Sequence, residues 1–320
     1  MRLIQLVAFT SGMFFVSAMF AQSKPAVEQQ WAEGKYIVVV KSFSKQSGRK
    51  EGPSSTEVEE SYELLVQKPA AKGQKIQVTF NRLRHQYKGG GLEGFSRDTD
   101  KPAGEDRYSA QTRFKAMIGM PMVTTIGTDG KIGEISGIDE IVKKAGAADD
   151  PMGADTVVAL CKTSLTSSLA PLLFHFPGEP VVKGYAWTRN DPMELGVMGA
   201  LKMTQNYKVK SVEDTPGGRV AAIDFSAKNA SDKPGATDED SAKWMKIVPI
   251  DEVTWQIAGT VKVNLDTKML ISEKLHTKTT MKGTSLMDGG NLPFNFVTER
   301  DSEVVVTPEK STPTSSTRPG

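Results

Sequence analysis

The sequence predicts a mainly β fold of two antiparallel sheet units in tandem, built from curved hairpins or half-barrels, with a short helical insertion between them. Three observations favour this fold. Runs rich in β-branched residues alternate apolar and polar side chains with a period of two, turn residues separate the runs, and the period becomes helical only near the middle of the chain. Because such alternation places one face of a strand against a core, most of the chain is expected to form sheet.

The first half of the chain contains strand segments of this type. Residues 35–43 ("KYIVVVKSF") form a nearly continuous apolar run, and residues 75–83 alternate apolar with polar side chains. Residues 122–126 and 132–135 flank the turn sequence "GTDGK", whose Asp-Gly pair is typical of a two-residue hairpin turn. We therefore expect two long strands followed by a tight hairpin.

The second half repeats this pattern. Residues 203–212 and 219–225 flank "EDTPGG", and residues 255–265 and 270–281 flank "DTK", so each pair predicts a long hairpin. The segments "VTTIGTDGKIGEISG" and "TVKVNLDTKMLISEK" share a strand, an Asp-centred turn and a returning strand. We infer a duplicated β unit from this similarity, with the alternative that any two hairpins look alike at this level.

A helical insertion is expected between the halves. Residues 138–145 and 156–174 carry apolar side chains at helical spacing, and Gly178 with Pro180 ends the second segment. The apolar stripe is expected to pack on a face of the sheet. Cys161 lies in this stripe, and we interpret it as a small buried apolar residue rather than a nucleophile.

The domain organisation follows from these segments. Polar, Gly- and Asp-rich stretches at 88–107 and 227–242 are interpreted as loops inserted within hairpins. The sequence "STPTSSTRPG" at the end of the chain is too polar to pack. The predicted order is a signal peptide (1–21), an N-terminal β unit (31–137), the helical insertion (138–176), a C-terminal β unit (177–308) and a disordered tail (309–320).

The N-terminal residues predict export. Arg2 precedes an apolar stretch over residues 3–20, and Ala18 and Ala21 are small residues where a signal peptidase could cut. The mature protein is expected to be periplasmic or extracellular, with no transmembrane span after cleavage. An uncleaved anchor is the alternative, because the stretch approaches the length that crosses a bilayer. No cysteine lies at the cleavage point, so a lipoprotein is not expected.

Composition and charge exclude several classes of protein. Cys161 is the only cysteine, so no intramolecular disulfide can form, and stability must come from the hydrophobic core that 320 residues can bury. The 40 basic and 38 acidic residues nearly balance. Because lysines alternate with acids and no basic face with interleaved aromatic residues occurs, nucleic-acid binding is not expected.

Motifs for nucleotide binding fail in context. Gly89, Gly91 and Gly94 form a G-x-G-x-x-G pattern after a strand, but a dinucleotide site needs a following helix to hold the pyrophosphate. The sequence that follows, "FSRDTDKPAGEDR", contains Pro102 and is not helical in character. A flexible loop is therefore expected, and no cofactor.

Motifs for catalysis and metal binding are equally weak. Ser47 and Lys50 have the S-x-x-K spacing, but they lie in a polar, Gly-containing segment where the lysine would stay protonated. His85, His175 and His276 are the only histidines, and none has a second histidine or a cysteine at ligand spacing. The sequence thus assigns no catalytic, cofactor-binding or metal-binding residue.

Four segments carry a resemblance to a known family. They are "FKAMIGMPMVTTIGTDGKIGEISGIDEIVKK", "PGEPVVKGYAWTRNDP", "NYKVKSVEDTPGGRVAAIDFSA" and "GTVKVNLDTKMLISEKLHTKTTMKG", in this order. From about residue 36 to residue 282 the chain resembles a family of exported bacterial proteins known only as a domain of unknown function. The resemblance implies an envelope-associated, β-rich, non-enzymatic protein, and it supplies no catalytic residues.

The function favoured by the sequence is non-enzymatic binding of an apolar ligand or lipid, or an envelope scaffold. Long curved hairpins can enclose an apolar concavity, and the helical insertion can plug it. The partner would be a lipid, an apolar small molecule or an envelope protein. A set of methionines would adapt to such a ligand, although filling a core is their commoner use: Met117, Met120, Met122, Met193, Met198 and Met203.

Two other functions remain open. The first is an envelope-polymer hydrolase that uses paired carboxylates such as Asp251 with Glu252 or Glu299 with Asp301. Adjacent residues on a strand point to opposite faces, and alternate acids more often mark a solvated face. The second is a structural or adhesive surface protein with the C-terminal tail as a spacer. Enzymatic activity is left open, with a non-enzymatic role favoured.

Overall fold

The structure is a computed structural model that describes most of the chain. The described residues are 31–48, 52–71, 73–89, 96–102, 110–128, 130–194, 199–229, 233–237, 239–286 and 292–309. The segment interpreted as a signal peptide and the tail beyond Glu309 lie outside them.

Eleven strands and four α-helices form the described part of the fold. The strands are β1 (Gly34–Ser47), β2 (Ser54–Ala70), β3 (Gly73–Gly89), β4 (Ser96–Asp98), β5 (Pro121–Ile126), β6 (Ala186–Glu194), β7 (Ala200–Thr215), β8 (Gly218–Asn229), β9 (Ile250–Asn264), β10 (Leu270–Ser285) and β11 (Leu292–Pro308). The helices are α1 (Ala110–Met117), α2 (Ile138–Lys144), α3 (Pro151–Leu169), which continues into a 3-10 turn (Ala170–Leu172), and α4 (Glu239–Ile247).

All eleven strands belong to one open antiparallel sheet. Its order is β4-β3-β2-β1-β11-β10-β9-β8-β7-β6, and β5 pairs with the part of β3 that β4 leaves free. The mainly β fold class is confirmed, as are the two long hairpins β7–β8 and β9–β10. The two β units that the sequence predicts lie side by side in this single sheet, because β1 pairs with β11 from Tyr36–Pro308 to Ser47–Val297.

The hairpin expected around "GTDGK" forms only in part. Strand β5 is present, but residues 132–135 do not form the returning strand. The isolated bridges Ile126–Ile132 and Val123–Ser136, and a hydrogen bond from the Gly133 N–H to the carbonyl oxygen of Thr125, connect the two segments. Gly137, with a φ of 91°, then turns the backbone out of the extended conformation where α2 begins. The aspartate of the turn lies outside the described residues.

The helical insertion is confirmed, with a different end. Helix α3 stops at Leu169 instead of reaching residue 174, because Pro171 lacks the amide that would continue the α-helical ladder. Two helices were not expected from the sequence. They are α1 and α4, and α4 begins inside the stretch that the sequence indicated as a loop at 227–242. Of the loop predicted at 88–107, the structure describes residues 88–89, which end β3, and residues 96–102, which contain β4.

Helix α3 packs on one face of the sheet, which we call the inner face. The phenol of Tyr62 on β2 donates a hydrogen bond of 2.5 Å to the carbonyl oxygen of Ser168 near the end of α3. Leu165 and Trp255 are buried in the same core, to which both halves of the sheet contribute. Cys161 is fully buried here, and burial raises the pKa of its thiol to about 12, so the interpretation as an apolar core residue is confirmed.

The sheet curls around this core. After α3, Phe174 packs edge-on against Tyr207 of β7, with ring centroids 5.8 Å apart. The next residue, His175, lies beside Gly130 in the turn after β5 and interacts electrostatically with Arg189 of β6. Because β5 and β6 lie at opposite ends of the strand order, one short segment spans the space between the two edges of the sheet.

Candidate functional site

Part of the inner face is open to solvent. On β1, β2 and β11 the inward-facing residues nearest the core are buried, whereas those toward the β1–β2 turn and the β10–β11 connection are only half-buried. The register places these half-buried residues side by side on adjoining strands. We call this region the inner recess, and define it by Ser44, Thr56, Val58, Phe296, Thr298 and Arg300.

Charged side chains occupy inward positions at the boundary between the recess and the core. On β2 the inward series is Val58, Glu60, Tyr62, Leu64 and Val66, so Glu60 interrupts an otherwise apolar series. His85 of β3, Arg300 of β11 and Glu273 of β10 interrupt their own strands in the same way. These four residues were not predicted as a group from the sequence, although an ionisable residue in the apolar phase of a strand is the signal that could have found them.

Glu60 and His85 form a polar contact that α3 completes. The His85 Nε2 atom lies 3.0 Å from Glu60 Oε1, and Glu60 Oε2 lies 3.4 Å from the Ser168 hydroxyl, which donates its hydrogen to the carbonyl oxygen of Ser164 at 2.8 Å. The His85 ring packs edge-on against Phe114 of α1 at 5.1 Å. One oxygen of the Glu60 carboxylate is therefore held by His85 and the other lies against α3, and a structural role in tying β2, β3 and α3 together accounts for this pair.

The guanidinium of Arg300 has fewer hydrogen-bond partners than it has donors. Its Nη2 donates a hydrogen bond of 2.9 Å to the Ser42 hydroxyl, but its Nε atom is buried and has no hydrogen-bond partner in the described part of the chain. Burial lowers the pKa of the guanidinium to about 10, and attraction to Glu60 and Glu273 opposes that shift. The group stays charged at neutral pH, and its buried Nε–H has no acceptor among the described residues.

Glu273 is the most unusual group of the site. Its neighbours across the sheet are Val304 and Val261, and only 8% of its surface is exposed. No described residue forms a hydrogen bond or an ion pair with its carboxyl group, and this includes Arg300. Burial raises the pKa of Glu273 to about 8, with a smaller lowering by Arg300. At neutral pH the carboxyl group is therefore mostly protonated and can donate a hydrogen bond.

The carboxylates considered for a hydrolase lie elsewhere. Glu299 lies 3.0 Å from Lys278, and Asp301 lies 2.9 Å from the Nδ1 atom of His276, in exposed pairs on the outer face of β10 and β11. Asp251 is exposed at the start of β9, and Glu252 lies 2.7 Å from Lys282. The expectation of a solvated face is confirmed for Glu299 and Asp301, and nothing brings these acids to the inner recess.

The remaining candidates from the sequence are also apart from the recess. Met117, Met122, Met193 and Met203 are buried in the core, which is the commoner use of methionine. Among the described residues, no group of three His, Cys, Asp or Glu side chains could hold a metal ion. Several predicted positions lie outside the described residues: Lys50, Gly91, Gly94 and Met198.

Two of the open grooves on the described part of the molecule have volumes of about 570 Å³ and 400 Å³. The larger one lies at the outer rim of β1, β2 and β11 and is lined by Lys45, Ser55 and Glu299 among others. The smaller one lies over β6, β7 and β8 and includes Thr188 and Asp224. Both are lined mainly by residues of the outer face, on the side of the sheet opposite the inner recess.

Comparisons with known proteins give a family but no activity. A family model described as "Family of unknown function (DUF6263)" matches residues 72–270. No curated protein sequence matches the chain. Within the described residues, none of the helices combines the length and apolar character needed to pass through a membrane.

Solved structures show only distant similarity. A chain from a structure of lipid–protein interactions in lipovitellin has a TM-score of 0.45 at 13% identity. The match covers 90% of this chain but only 27% of the lipovitellin chain. DynF from the dynemicin biosynthesis pathway of Micromonospora chersina has a TM-score of 0.19 at 7% identity, over 93% of this chain and 91% of its own. The translocator domain of the autotransporter NalP from Neisseria meningitidis has a TM-score of 0.22 at 5% identity, and the match covers 95% of this chain and 96% of that domain. Similarity at this level carries no conclusion about this chain.

Proposed function

Because the chain belongs to the DUF6263 family, whose function is unknown, we propose from the geometry of its own residues that it binds an apolar ligand or a lipid in the inner recess. In this role the curled sheet forms the wall of the site and α3 forms its base. The protein would shield the apolar part of the ligand from water, without chemical change to the ligand.

The observation that carries this proposal is the half-buried apolar surface on the inner face. Val58 and Phe296 point inward, toward the same side as the core, yet they remain half-buried. Covering apolar surface of this kind with a ligand is favourable by about 25 cal/mol for each Å² removed from water. A sheet of eleven strands thus offers both a dry core and an adjoining apolar surface that a ligand could cover.

An apolar rim next to the recess supports the same role. Phe294 stacks on Phe296 with ring centroids 5.0 Å apart, and Leu292 continues the same face of β11. Leu286 donates its backbone N–H to the carbonyl of Ile247 at the end of α4, and both of these side chains are exposed. Exposed apolar residues gathered at one place mark binding surfaces more often than chance positions do. They would form the entrance for an apolar chain.

The location that accompanies this proposal is outside the cytoplasm, in the periplasm or the extracellular space. Its support is the sequence of residues 1–21, which is typical of a signal peptide. A carrier that works in an aqueous compartment must bury the apolar part of its ligand, and the inner recess provides surface for this purpose.

The test is native mass spectrometry of the protein purified from the envelope fraction of its own cells, followed by organic extraction. We expect a co-purifying lipid or apolar small molecule. Val58→Trp, which fills the recess, should lower its occupancy by about tenfold, since the lost contacts are worth more than 1 kcal/mol. Glu57→Trp adds the same side chain on the outer face of the same strand and should leave occupancy unchanged.

Two results would contradict the proposal. One is a mass without ligand in the wild-type protein, together with no uptake of a fluorescent fatty acid. The other is equal occupancy in the two tryptophan variants. Thermal unfolding of both variants shows whether each is folded, and Thr298→Trp fills the same recess from β11 if Val58→Trp is not.

A further inference from the structure

The polar side chains at the base of the inner recess indicate which kind of ligand head group would bind there. We infer that the recess selects an amphiphile with an oxyanion head group, held by the guanidinium of Arg300 and by the carboxyl group of Glu273 as a second donor. This inference rests on the proposed function and names the class of ligand that the same site would take.

Arg300 supplies the charge. It is the inward-facing cation of β11 at the base of the recess, and its Nε–H is buried without an acceptor in the described residues. A buried donor without a partner costs free energy, so native proteins rarely keep one without a reason. Nη2 of Arg300 donates to Ser42, which leaves the Nε–H for another acceptor. Carboxylates and phosphates are the anions that arginine binds best.

Glu273 supplies the second donor. Its carboxyl group is more than nine-tenths buried, contacts valines on both neighbouring strands and has no polar partner in the described residues. In its protonated form it donates one O–H, which suits an anionic acceptor and not a cationic one. An unpartnered acid at this depth is a feature of binding and catalytic sites more than of structural cores.

The register brings these two groups toward one place. On the inner face, Glu273 of β10 lies opposite Val304, two inward positions along β11 from Arg300. The guanidinium of Arg300 reaches Ser42, whose strand partner on β11 is Ser302, the position between them. The two head groups therefore approach each other without forming an ion pair. A carboxylate or phosphate placed between them would accept a hydrogen bond from each.

Two other titratable groups act electrostatically on this pair. Glu60 attracts Arg300, and its Oε1 atom is held by His85. Tyr207 of β7 interacts with Glu273, and burial raises the pKa of its phenol, so it is neutral. An incoming anion thus meets the Arg300 cation and the Glu273 donor, and the nearby Glu60 carboxylate opposes its binding.

The test compares oleate with its neutral methyl ester by titration calorimetry on the full mature protein. We expect the wild type to bind oleate more tightly than methyl oleate, and Arg300→Met to lose about tenfold or more in oleate affinity with little change for the ester, since hydrogen bonds to charged groups have this strength. Arg219→Met removes the same charge at an exposed site at the start of β8 and should change neither affinity.

Each outcome separates the inference from the proposed function. Equal affinities of the wild type for oleate and methyl oleate would overturn the head-group inference and leave apolar binding intact, whereas no binding of either would overturn both. An oleoyl phosphomonoester distinguishes a phosphate from a carboxylate head, and inorganic phosphate alone shows whether the anion binds without its chain.

If Arg300→Met does not fold, the pH dependence of binding by the wild type provides the test. Ionisation of Glu273 above about pH 8 should weaken oleate binding severalfold and leave binding of the methyl ester unaffected.

Discussion

Replacing Glu273 by leucine is expected to remove a loss of stability that the wild-type protein shows as the pH rises from about 4.5 to 8. Burial raises the pKa of this carboxyl group from 4.5 to about 8, so the folded state keeps a proton that the unfolded state releases over this range. Stability therefore falls with rising pH through the window, by up to about 4 kcal/mol in the free energy of unfolding. Below pH 4.5 both states are protonated and the contribution vanishes.

The measurement is urea denaturation of the wild type and Glu273→Leu at a series of pH values between 4 and 9. His175 acts in the opposite sense, because burial lowers its pKa to about 4, which destabilises the folded protein as the pH falls below 6.5. The difference between wild type and variant isolates Glu273 from this background. Glu303→Leu, at an exposed acid paired with Lys274 on the outer face, serves as the control. Parallel pH curves for the wild type and Glu273→Leu would refute the buried, protonated carboxyl group.

A side chain at Gly259 is expected to separate β9 from β10. A Cβ atom there would lie 1.9 Å from the carbonyl oxygen of Lys274 and 2.9 Å from the Cα of Leu275, and both atoms belong to the backbone of β10. Because backbone cannot move aside as a side chain can, Gly259→Ala should lower the free energy of unfolding by about 3 kcal/mol or more.

Thermal unfolding measures this effect against Gly178→Ala. The position of a Cβ at Gly178 has no atom within 4 Å, so that variant should unfold close to the wild-type temperature. If Gly259→Ala were as stable as Gly178→Ala, the close approach of β9 and β10 would be wrong. A large loss confined to Gly259→Ala would agree with the register in which Gly259 faces Leu275.

Local patterns in the sequence predict most of the strands. The hairpins β7–β8 and β9–β10 combine strict alternation with clear turn residues, so their positions follow from short-range chemistry alone. The joining of both halves into one sheet depends on β1 and β11, which pair residues such as Tyr36 and Pro308. No local signal connects segments so far apart. Helix α4 was missed because its nine residues follow a polar stretch that resembles a loop.

The candidate site was less predictable than the fold. The residue types at Glu60, Glu273 and Arg300 are visible in the sequence as charges in the apolar phase of their strands. Their proximity depends on the order β2-β1-β11-β10, which brings together strands from the two ends of the chain. Without that order, each charge resembles an isolated irregularity in a strand. The interpretation of Cys161 as a core residue needed only the local pattern and was confirmed.

Photo-cross-linking with a fatty acid that carries a diazirine in its chain tests the central claim most directly. After illumination and digestion, we expect labelled peptides from the inner recess, with Val58 and Phe296 as the sites of attachment. Phe43 and Val305 on the outer face provide an internal control, because they are apolar and exposed by 41% and 36% on the same strands that line the recess. Labelling at those outer residues, or no labelling above that of the denatured chain, would contradict a ligand site on the inner face.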